Sequence, residues 1–239
     1  MHVLAIHQEA DSSLCTLEGP IHERGHELHH WHPWRGERRP DLGSFDAVIA
    51  LGGIVHPDQH EQYPWLTAEL DVLRLLVRNG VPVLGVCLGA QLLAHAVGAT
   101  VARLPEHEVG WYEVRTTPAA RHDPLLGEFP ERLPAFQWHE YGFTPPASAT
   151  VLASSARAPH QAVRLAERAW AVQFHIEVDA PVIARWLVEG ARELADKGIS
   201  ADDVQADTRR HVEPYAALAR SLTHGFLRLA ESAAHERAA

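Results

Sequence analysis

The stretch that most constrains the fold of this chain is Val81-Pro-Val-Leu-Gly-Val-Cys87-Leu-Gly-Ala-Gln91, in which an apolar strand runs directly into a helix. Residues 83–86 are apolar and include two β-branched valines, which suits a short, fully buried strand. Residues 88–97 are rich in leucine and alanine and stop at Gly98, a common residue at a helix C-terminus. Cys87 is therefore predicted to lie at an abrupt corner between a strand and a helix.

The corner at Cys87 has the features of a nucleophile elbow, with sulfur in place of the hydroxyl. Gly85 and Gly89 flank it without side chains, so the strand and helix can close tightly around the turn. The N-terminus of the following helix favours a thiolate, and its free N–H groups can face a developing oxyanion. We predict that Cys87 is a catalytic nucleophile; the alternative is an inert buried thiol, as most buried cysteines are.

A second apolar run, Trp170 to Phe174, is predicted to be a strand that ends at His175, with Glu177 two residues later. Residues two apart in an extended chain point to the same side. A base beside a thiol, itself oriented by a carboxylate, is the arrangement of a catalytic triad. Although one histidine among 18 carries little weight, a His-x-Glu closing an apolar strand carries more. We predict His175 as the base and Glu177 as its orienting carboxylate.

A third apolar run, Phe45 to Leu51, leads straight into Gly52-Gly53. Paired glycines let backbone N–H groups come close to a ligand, although an ordinary turn is the alternative. Since the pair lies upstream of the cysteine elbow, we predict an oxyanion hole formed by the N–H groups of Gly53 and Leu88.

Together, Gly52-Gly53, Gly85-Val-Cys87-Leu-Gly89-Ala-Gln91 and Phe174-His175-Ile-Glu177 resemble the class I (triad-type) glutamine amidotransferases in order and rough spacing. The similarity covers about residues 1–190 and is greatest to stand-alone proteins similar to the amidotransferase domain of GMP synthase. It implies an α/β three-layer sandwich with a central, mostly parallel, twisted sheet of the flavodoxin-like type. It also implies that the chain hydrolyses the side-chain amide of glutamine.

The resemblance implies further contacts with the substrate. Gln91 would help to hold the glutamine, and Gly52 would line the same site. Glu108, in Glu108-Val-Gly-Trp111, stands where the family places a glutamate against the substrate glutamine.

His139 follows Trp138 at the end of a predicted strand and is expected to line the pocket. A structural histidine near the rim is the alternative. Many relatives carry an aspartate two residues after this histidine, whereas this chain has Tyr141. The departure bears on substrate range more than on the hydrolytic centre.

The alternation of strands and helices through residue 97 predicts a parallel sheet with helices on both faces. Ligands of such sheets bind at the C-terminal ends of the strands, where Cys87 and Gly53 fall. The length of 239 residues suits one large domain with an appendage. We assign residues 1–192 to the amidotransferase-like domain and residues 193–239 to a helical C-terminal extension, packed on that domain or docking from it, with a final helix over residues 215–230.

Composition limits the partners and the location. A formal charge of −10 argues against non-specific binding to nucleic acid, which needs clustered Lys and Arg. No apolar run approaches the ~20 residues that cross a membrane. Two cysteines, Cys15 and Cys87, give no disulfide framework, so a reducing cytoplasm is expected.

The histidine-rich N-terminal region contains His22-Glu-Arg-Gly-His26, a formal match to the zinc-protease pattern. Gly25 stands where the helix should stop, so both imidazoles would not share a helix face, and we predict a chance match. The cluster of His26, His29, His30 and His32 could bind a metal adventitiously, but strand alternation would divide these side chains between two faces. No metal and no organic cofactor is expected for the reaction.

Three functions remain open from the sequence. In the first, the chain hydrolyses glutamine through a γ-glutamyl thioester and releases ammonia for a separate synthase, since it has no ATP-binding Gly-x-x-x-x-Gly-Lys-Ser/Thr loop of its own. In the second, it is a free-standing hydrolase or transferase of γ-glutamyl amides or peptides with the same triad. In the third, it is a non-catalytic binding protein on this fold, against which the intact Cys, His and Glu count.

Overall fold

The computed structural model describes residues 1–238, with side chains through residue 237, as an α/β sandwich. The strands within this range are β1 (His2–Ile6), β2 (Glu27–Trp31), β3 (Ala47–Ala50), β4 (Val83–Val86), β5 (Thr100–Thr116), β6 (Arg132–Thr144), β7 (Thr150–Ser155), β8 (Ala162–Ala166) and β9 (Ala169–Val172). The α-helices are α1 (Glu18–Glu23), α2 (Trp65–Arg78), α3 (Leu88–Ala96), α4 (Ala180–Glu189), α5 (Ala191–Asp196) and α6 (Ala201–Ala238).

All these strands form a single sheet with the order β2-β1-β3-β4-β9-β8-β7-β5-β6. Strands β2, β1, β3, β4 and β9 are parallel neighbours. From β9 outward, β8, β7, β5 and β6 continue the sheet in antiparallel fashion. The predicted parallel arrangement therefore holds for the half of the sheet that contains β3, β4 and β9, the strands that lead to the predicted site.

Alternate side chains of the parallel strands pack into two hydrophobic cores, one on each face of the sheet. Val3 and Ala5 of β1 pack on the face covered by α1, α4 and α6. Leu4 and Ile6 of the same strand pack on the face covered by α2 and α3. Because both faces are buried, β3 and β4 are apolar throughout rather than alternating with polar residues. The predicted three-layer α/β sandwich is confirmed.

The β5–β6 hairpin is longer than its apolar pattern indicates. The sequence marks only residues 111–116 and 135–138, whereas β5 covers 17 residues and β6 covers 13. The part of the hairpin in which residues 100–103 pair with residues 141–144 is held by backbone hydrogen bonds between the strands and by an Arg103–Glu140 ion pair more than by burial. A register shift between Arg103 and Glu108 interrupts it. Hydrophobic periodicity has no signal for such a segment.

Helix α6 begins 14 residues before the predicted start at Tyr215. The hydroxyl of Ser200 accepts the N–H of Asp203 at 3.2 Å and so caps the N-terminus of the helix. The helix then continues through Pro214, a residue that normally disfavours a helix interior. Packing against the sheet outweighs that cost, since the buried residues of α6 include Val204, Tyr215, Ala219, Leu222, Phe226, Leu227 and Ala230.

Within residues 1–238, no helix combines the length and the apolar character needed to cross a bilayer.

The zinc-protease pattern is confirmed as a chance match. His22 lies in α1 and contacts Glu18 at 3.3 Å. His26 follows Gly25, whose φ is 69°, and its Nε2 lies 2.9 Å from Glu231. The two imidazoles therefore face different carboxylates on different elements.

Candidate active site

Cys87 lies at the corner between β4 and α3 with φ 50° and ψ −112°, in a region of the backbone that non-glycine residues rarely adopt. Its two flanking glycines permit this corner. A Cβ on Gly89 would lie 2.2 Å from the carbonyl oxygen of Ala50, and one on Gly85 would lie 2.6 Å from the carbonyl oxygen of Gly89. The predicted strand–corner–helix is confirmed, and its strain is typical of a nucleophile elbow.

His175 and Glu177 lie in the segment that follows β9, where the chain bends instead of staying extended. Their side chains nevertheless meet, with Nδ1 of His175 2.7 Å from Oε1 of Glu177. The backbone is fixed on both sides. The N–H of His175 donates to the carbonyl of Phe136 at 2.9 Å, and the carbonyl of Glu177 accepts the N–H and the hydroxyl of Thr16 at 3.0 and 2.8 Å.

The sulfur and the imidazole converge at Gly52. A Cβ there would lie 2.8 Å from Cε1 of His175 and 3.3 Å from Cβ of Cys87, so a side chain at this position would push the two apart. Burial acts to lower the pKa of His175, but the negative charges of Glu177 and of a Cys87 thiolate raise it well above its usual value. This arrangement favours the protonated, imidazolium form of His175.

The two residues predicted to form the oxyanion hole, Gly53 and Leu88, pack against each other. A Cβ on Gly53 would lie 3.3 Å from Cδ2 of Leu88 and 2.5 Å from Cβ of Gln8, so the Gly52-Gly53 turn is packed closely against α3 and the end of β1. Within the described part of the chain, neither the N–H of Gly53 nor that of Leu88 donates to another protein group. Both N–H groups are therefore available to an anion.

A cleft of about 550 Å³ is lined by His175 and Glu177. Gly52 and His175 line this cleft, whereas Cys87 is only 5% exposed and does not line it. Trp186 packs edge-on against the imidazole of His175, with ring centroids 4.8 Å apart. The other lining residues are Glu9, Asp11, Ser12, Ser13, Gly53, Ile54, His56, Trp138, His139, Glu140, Glu189, Gly190 and Glu193.

The cleft is acidic, because its lining contains six carboxylates and no Lys or Arg. Lys197 pairs with Glu140 and with Glu193, which balances part of this charge. Burial and, to a smaller extent, the neighbouring charge of Asp11 raise the pKa of Glu9 to about 7. The wall around Glu9 is therefore suited to a cationic group.

Known proteins share both this sequence and this geometry. The family described as glutamine amidotransferase class-I matches residues 21–183. The chain belongs to this family. It is 30% identical over 197 residues to the glutamine amidotransferase-like protein YfeJ of Salmonella typhimurium, covering 80% of this chain and 81% of that one.

Two further known proteins are similar to this chain. It is 33% identical over 144 residues to one subunit of the glutamine-hydrolysing GMP synthase of Saccharolobus solfataricus, covering 58% of this chain and 70% of that one. A crystal structure of a glutamine amidotransferase from Thermotoga maritima superimposes with a TM-score of 0.87 at 31% identity, covering 95% of this chain and 97% of that one.

Gln91 is buried, and its amide already makes hydrogen bonds within the protein. Nε2 donates to the carbonyl of Tyr141 at 3.1 Å and to Oε1 of Gln173 at 3.2 Å. The hydroxyl of Tyr141 in turn donates to Asp58 at 2.9 Å, and its ring stacks on His56, a cleft residue. Gln91 does not line the cleft, so its contact with glutamine stays a prediction.

Glu108 is fully buried behind the cleft wall. Its carboxylate accepts the hydroxyl of Ser155 and the amide of Gln161, each at 2.6 Å, and lies 3.1 Å from Nε2 of His139. His139 lines the cleft as expected, whereas Glu108 contacts that histidine from behind. The contact between Glu108 and the substrate therefore stays a prediction as well.

Three residues of this amidotransferase site had no signal in the sequence. Thr16 holds the Glu177 carbonyl from 161 positions away, Trp186 packs on His175 from α4, and Glu9 reaches the cleft from the segment after β1. Glu9 and Thr16 belong to the segment between β1 and α1 and Trp186 belongs to α4, and none of them stands in a motif. Only the packing of α4 and of the β1–α1 segment against the strand ends brings them together.

Proposed function

We propose that this chain hydrolyses the side-chain amide of glutamine through Cys87, His175 and Glu177 and releases ammonia to a separate synthase. The observation that carries the proposal is the convergence of the Cys87 elbow and the His175–Glu177 pair at Gly52. Family membership supports the reaction class, since the family is described as glutamine amidotransferase class-I.

In the first step, the Cys87 thiolate attacks the amide carbon of glutamine. The N–H groups of Gly53 and Leu88 stabilise the oxyanion, an effect of about 3 kcal/mol per donor in comparable sites. His175 then gives its proton to the departing nitrogen, which leaves as ammonia, and a γ-glutamyl thioester remains on Cys87. Because the pKa of His175 is raised, its imidazole is protonated and can supply the proton that this step needs.

In the second step, His175, now neutral, takes a proton from a water molecule in the cleft. The resulting hydroxide attacks the thioester carbon, and glutamate leaves as the thiolate re-forms. Glu177 keeps Nε2 of the imidazole directed at the reacting atoms through the 2.7 Å contact at Nδ1. His175 therefore carries out the proton transfer of both steps.

A partner that consumes the ammonia is part of this proposal. The Saccharolobus relative is named as one subunit of a glutamine-hydrolysing GMP synthase, which indicates that the work of that synthase is divided between separate chains. We propose a similar division here, in a reducing cytoplasm that keeps Cys87 as a free thiol. The acceptor of the ammonia is a substrate of the partner.

The test is glutamine turnover by the purified chain, followed as glutamate and ammonia, together with labelling by a glutamine analogue that carries an electrophilic ketone. The Cys87→Ala variant should lose both turnover and labelling. Cys15→Ala, which removes the other thiol, is the matched control and should keep both. Labelling needs no partner, so it remains informative if free turnover is slow.

Equal turnover in Cys87→Ala and the unaltered chain would refute the cysteine mechanism. Absence of both turnover and labelling in the unaltered chain, with glutamine still bound, would instead favour the non-catalytic binding protein.

A second candidate is a free-standing hydrolase of γ-glutamyl amides whose leaving group is an amine. The cleft of about 550 Å³ is within the size range of sites for ligands larger than an amino acid. Its carboxylates and the indole faces of Trp138 and Trp186 suit an alkyl-ammonium group. Faster turnover of such an amide than of glutamine, without any partner, would favour this candidate.

A further inference from the structure

A cluster of metal-binding side chains lies at the end of the sheet opposite the triad. Nδ1 of His2 is 3.0 Å from Nε2 of His29. The carboxylate of Glu27 spans both rings, with one oxygen 3.5 Å from His2 and the other 3.3 Å from His29. Within the described residues, this is the group of His, Cys, Asp or Glu whose donor atoms all lie within 4.8 Å of one another.

The convergence follows from the register of two parallel strands. His2 of β1 is aligned with Glu27 of β2, and His29 stands two residues after Glu27, so all three side chains project from one face. The backbone of His2 is fixed by Asp46, which exchanges two hydrogen bonds of 2.9 Å with it. The ring of His29 packs edge-on against Phe45 at 5.4 Å between centroids.

We propose that His2, Glu27 and His29 form a binding site for a divalent transition-metal ion of the zinc type. In tetrahedral zinc sites with bonds of 2.0–2.2 Å, neighbouring ligand atoms lie about 3.3 Å apart. The two imidazole nitrogens, 3.0 Å apart, are close to this spacing, and each lies 3.3 or 3.5 Å from a different oxygen of the Glu27 carboxylate. One donor atom from each of the three residues lies within 4.8 Å of the others. Two imidazoles and a carboxylate are also a ligand set that such ions accept, with water completing the coordination.

The cluster is accessible to an ion from solvent. Glu27 and His2 are exposed and His29 is half-buried, so no rearrangement is needed for an ion to enter.

A second set of close histidines lacks such a carboxylate. His7 and His30 approach to 2.8 Å, and His7 stacks on His32, but no carboxylate in the described part of the chain converges with them on a common point. The group of His7, His30 and His32 is therefore a weaker candidate for a metal site than the His2–Glu27–His29 cluster.

A metal at this position would clamp the start of β1 to the edge strand β2. Cys87 lies at the C-terminal end of its strand, whereas His2 lies at the N-terminal end of β1 in the same parallel sheet. The expected effect is therefore on stability and on the edge of the sheet rather than on glutamine hydrolysis. This inference does not depend on the proposed activity.

The test is calorimetric titration of Zn²⁺ into the tag-free full chain carrying Cys87→Ala, so that the reactive thiol does not compete for zinc. One equivalent should bind, and Zn²⁺ should raise the Tm. Glu27→Gln and His29→Ala should each weaken binding at least about tenfold and remove the rise in Tm. Co²⁺ should give the visible absorption of a tetrahedral site in the parent chain and lose it in both variants.

His22→Ala is the matched control, because His22 is an exposed histidine beside a glutamate but without a second imidazole. It should leave the affinity, the Tm shift and the Co²⁺ spectrum unchanged. All three positions are on the surface, so circular dichroism should report the same fold in every variant. The proposal is overturned if no equivalent of Zn²⁺ binds, or if His29→Ala and His22→Ala bind it equally well.

Discussion

Nδ1 of His175 lies 2.7 Å from Oε1 of Glu177, and both side chains are about 95% buried. A short contact between an imidazole and a carboxylate in such an environment fixes the ring and favours its protonated form. The carbonyl of Glu177 is held by Thr16, so the orientation of the base depends on the segment after β1 as well as on its own strand.

Replacing Glu177 with Gln should lower kcat for glutamine by about 10²- to 10⁴-fold, since a neutral amide no longer stabilises the imidazolium. KM should change much less. The alkylation rate of Cys87 by iodoacetamide should fall in parallel, because the thiolate loses its cationic partner. Glu167→Gln, an exposed carboxylate far from the triad, is the control. An unchanged kcat in Glu177→Gln would remove this carboxylate from the mechanism.

Gly52→Ala should lower glutamine turnover by about 10²-fold or more, since displacement of a reacting group by about 1 Å has effects of that size. The added methyl would lie 2.8 Å from the imidazole of His175. Steady-state kinetics and the unfolding transition should be measured together. Gly43→Ala is a matched control, because its nearest neighbour would be at an ordinary 3.5 Å. Full activity in Gly52→Ala would contradict the convergence at this glycine.

Glu69 is fully buried in α2 and accepts a 2.5 Å hydrogen bond from Gln8, while burial raises its pKa from 4.5 to about 8. Between these values the folded chain retains a proton that the unfolded chain has lost, so ionisation opposes folding increasingly as the pH rises. Stability should therefore fall from about pH 4.5 to about pH 8 and stay low above that range.

Glu69→Gln should flatten this dependence. The variant should be more stable than the unaltered chain above about pH 8, by an amount on the order of a few kcal/mol, and similar to it near about pH 5. Urea unfolding at both pH values measures the difference. The same change at the exposed Glu61 is the control. A difference independent of pH would show that Glu69 does not titrate in this range.

The assignment of residues 193–239 to an appended extension can be tested by Phe226→Ala. Phe226 is completely buried in the core beneath the sheet, so its truncation should cost about 3–5 kcal/mol. Val188→Ala, 76% exposed on α4, should cost less than about 0.5 kcal/mol. Denaturant unfolding should show one transition, with a lower midpoint in Phe226→Ala. A separate transition confined to α6 would support an independent extension.

The second candidate function predicts a pH-dependent KM. Because the pKa of Glu9 is about 7, its charge develops as the pH rises through neutrality. For a γ-glutamyl amide with an ammonium group, KM should fall by about fivefold over this range, as expected for a partly exposed charge pair. Glu9→Gln should abolish the dependence, whereas Glu167→Gln should preserve it. Identical pH profiles in Glu9→Gln and the unaltered chain would exclude this role.

Local sequence patterns were sufficient to predict the helices and strands nearest the site. Helix α2 begins directly after Pro64, a residue common at helix starts, and ends just before Asn79-Gly80. The corner at Cys87 follows from an apolar strand that meets a Leu/Ala-rich helix between two glycines. These features depend on neighbours within a few residues, so the sequence contains them directly. The long β5–β6 hairpin and the start of α6 depend on pairing and packing with distant segments, and their local signals are weak.

The chemical groups of the site can be read from the residues alone: a thiol at a strained corner, an imidazole with its carboxylate, and glycines for close backbone approach. Only the folded chain shows that Thr16 holds Glu177, that Glu108 lies behind His139, and that carboxylates from separate segments surround the cleft. The reason is physical. A residue type and its nearest neighbours set what a group can do, whereas contacts between distant segments exist only once the sheet register and the packing of helices on both faces bring them together.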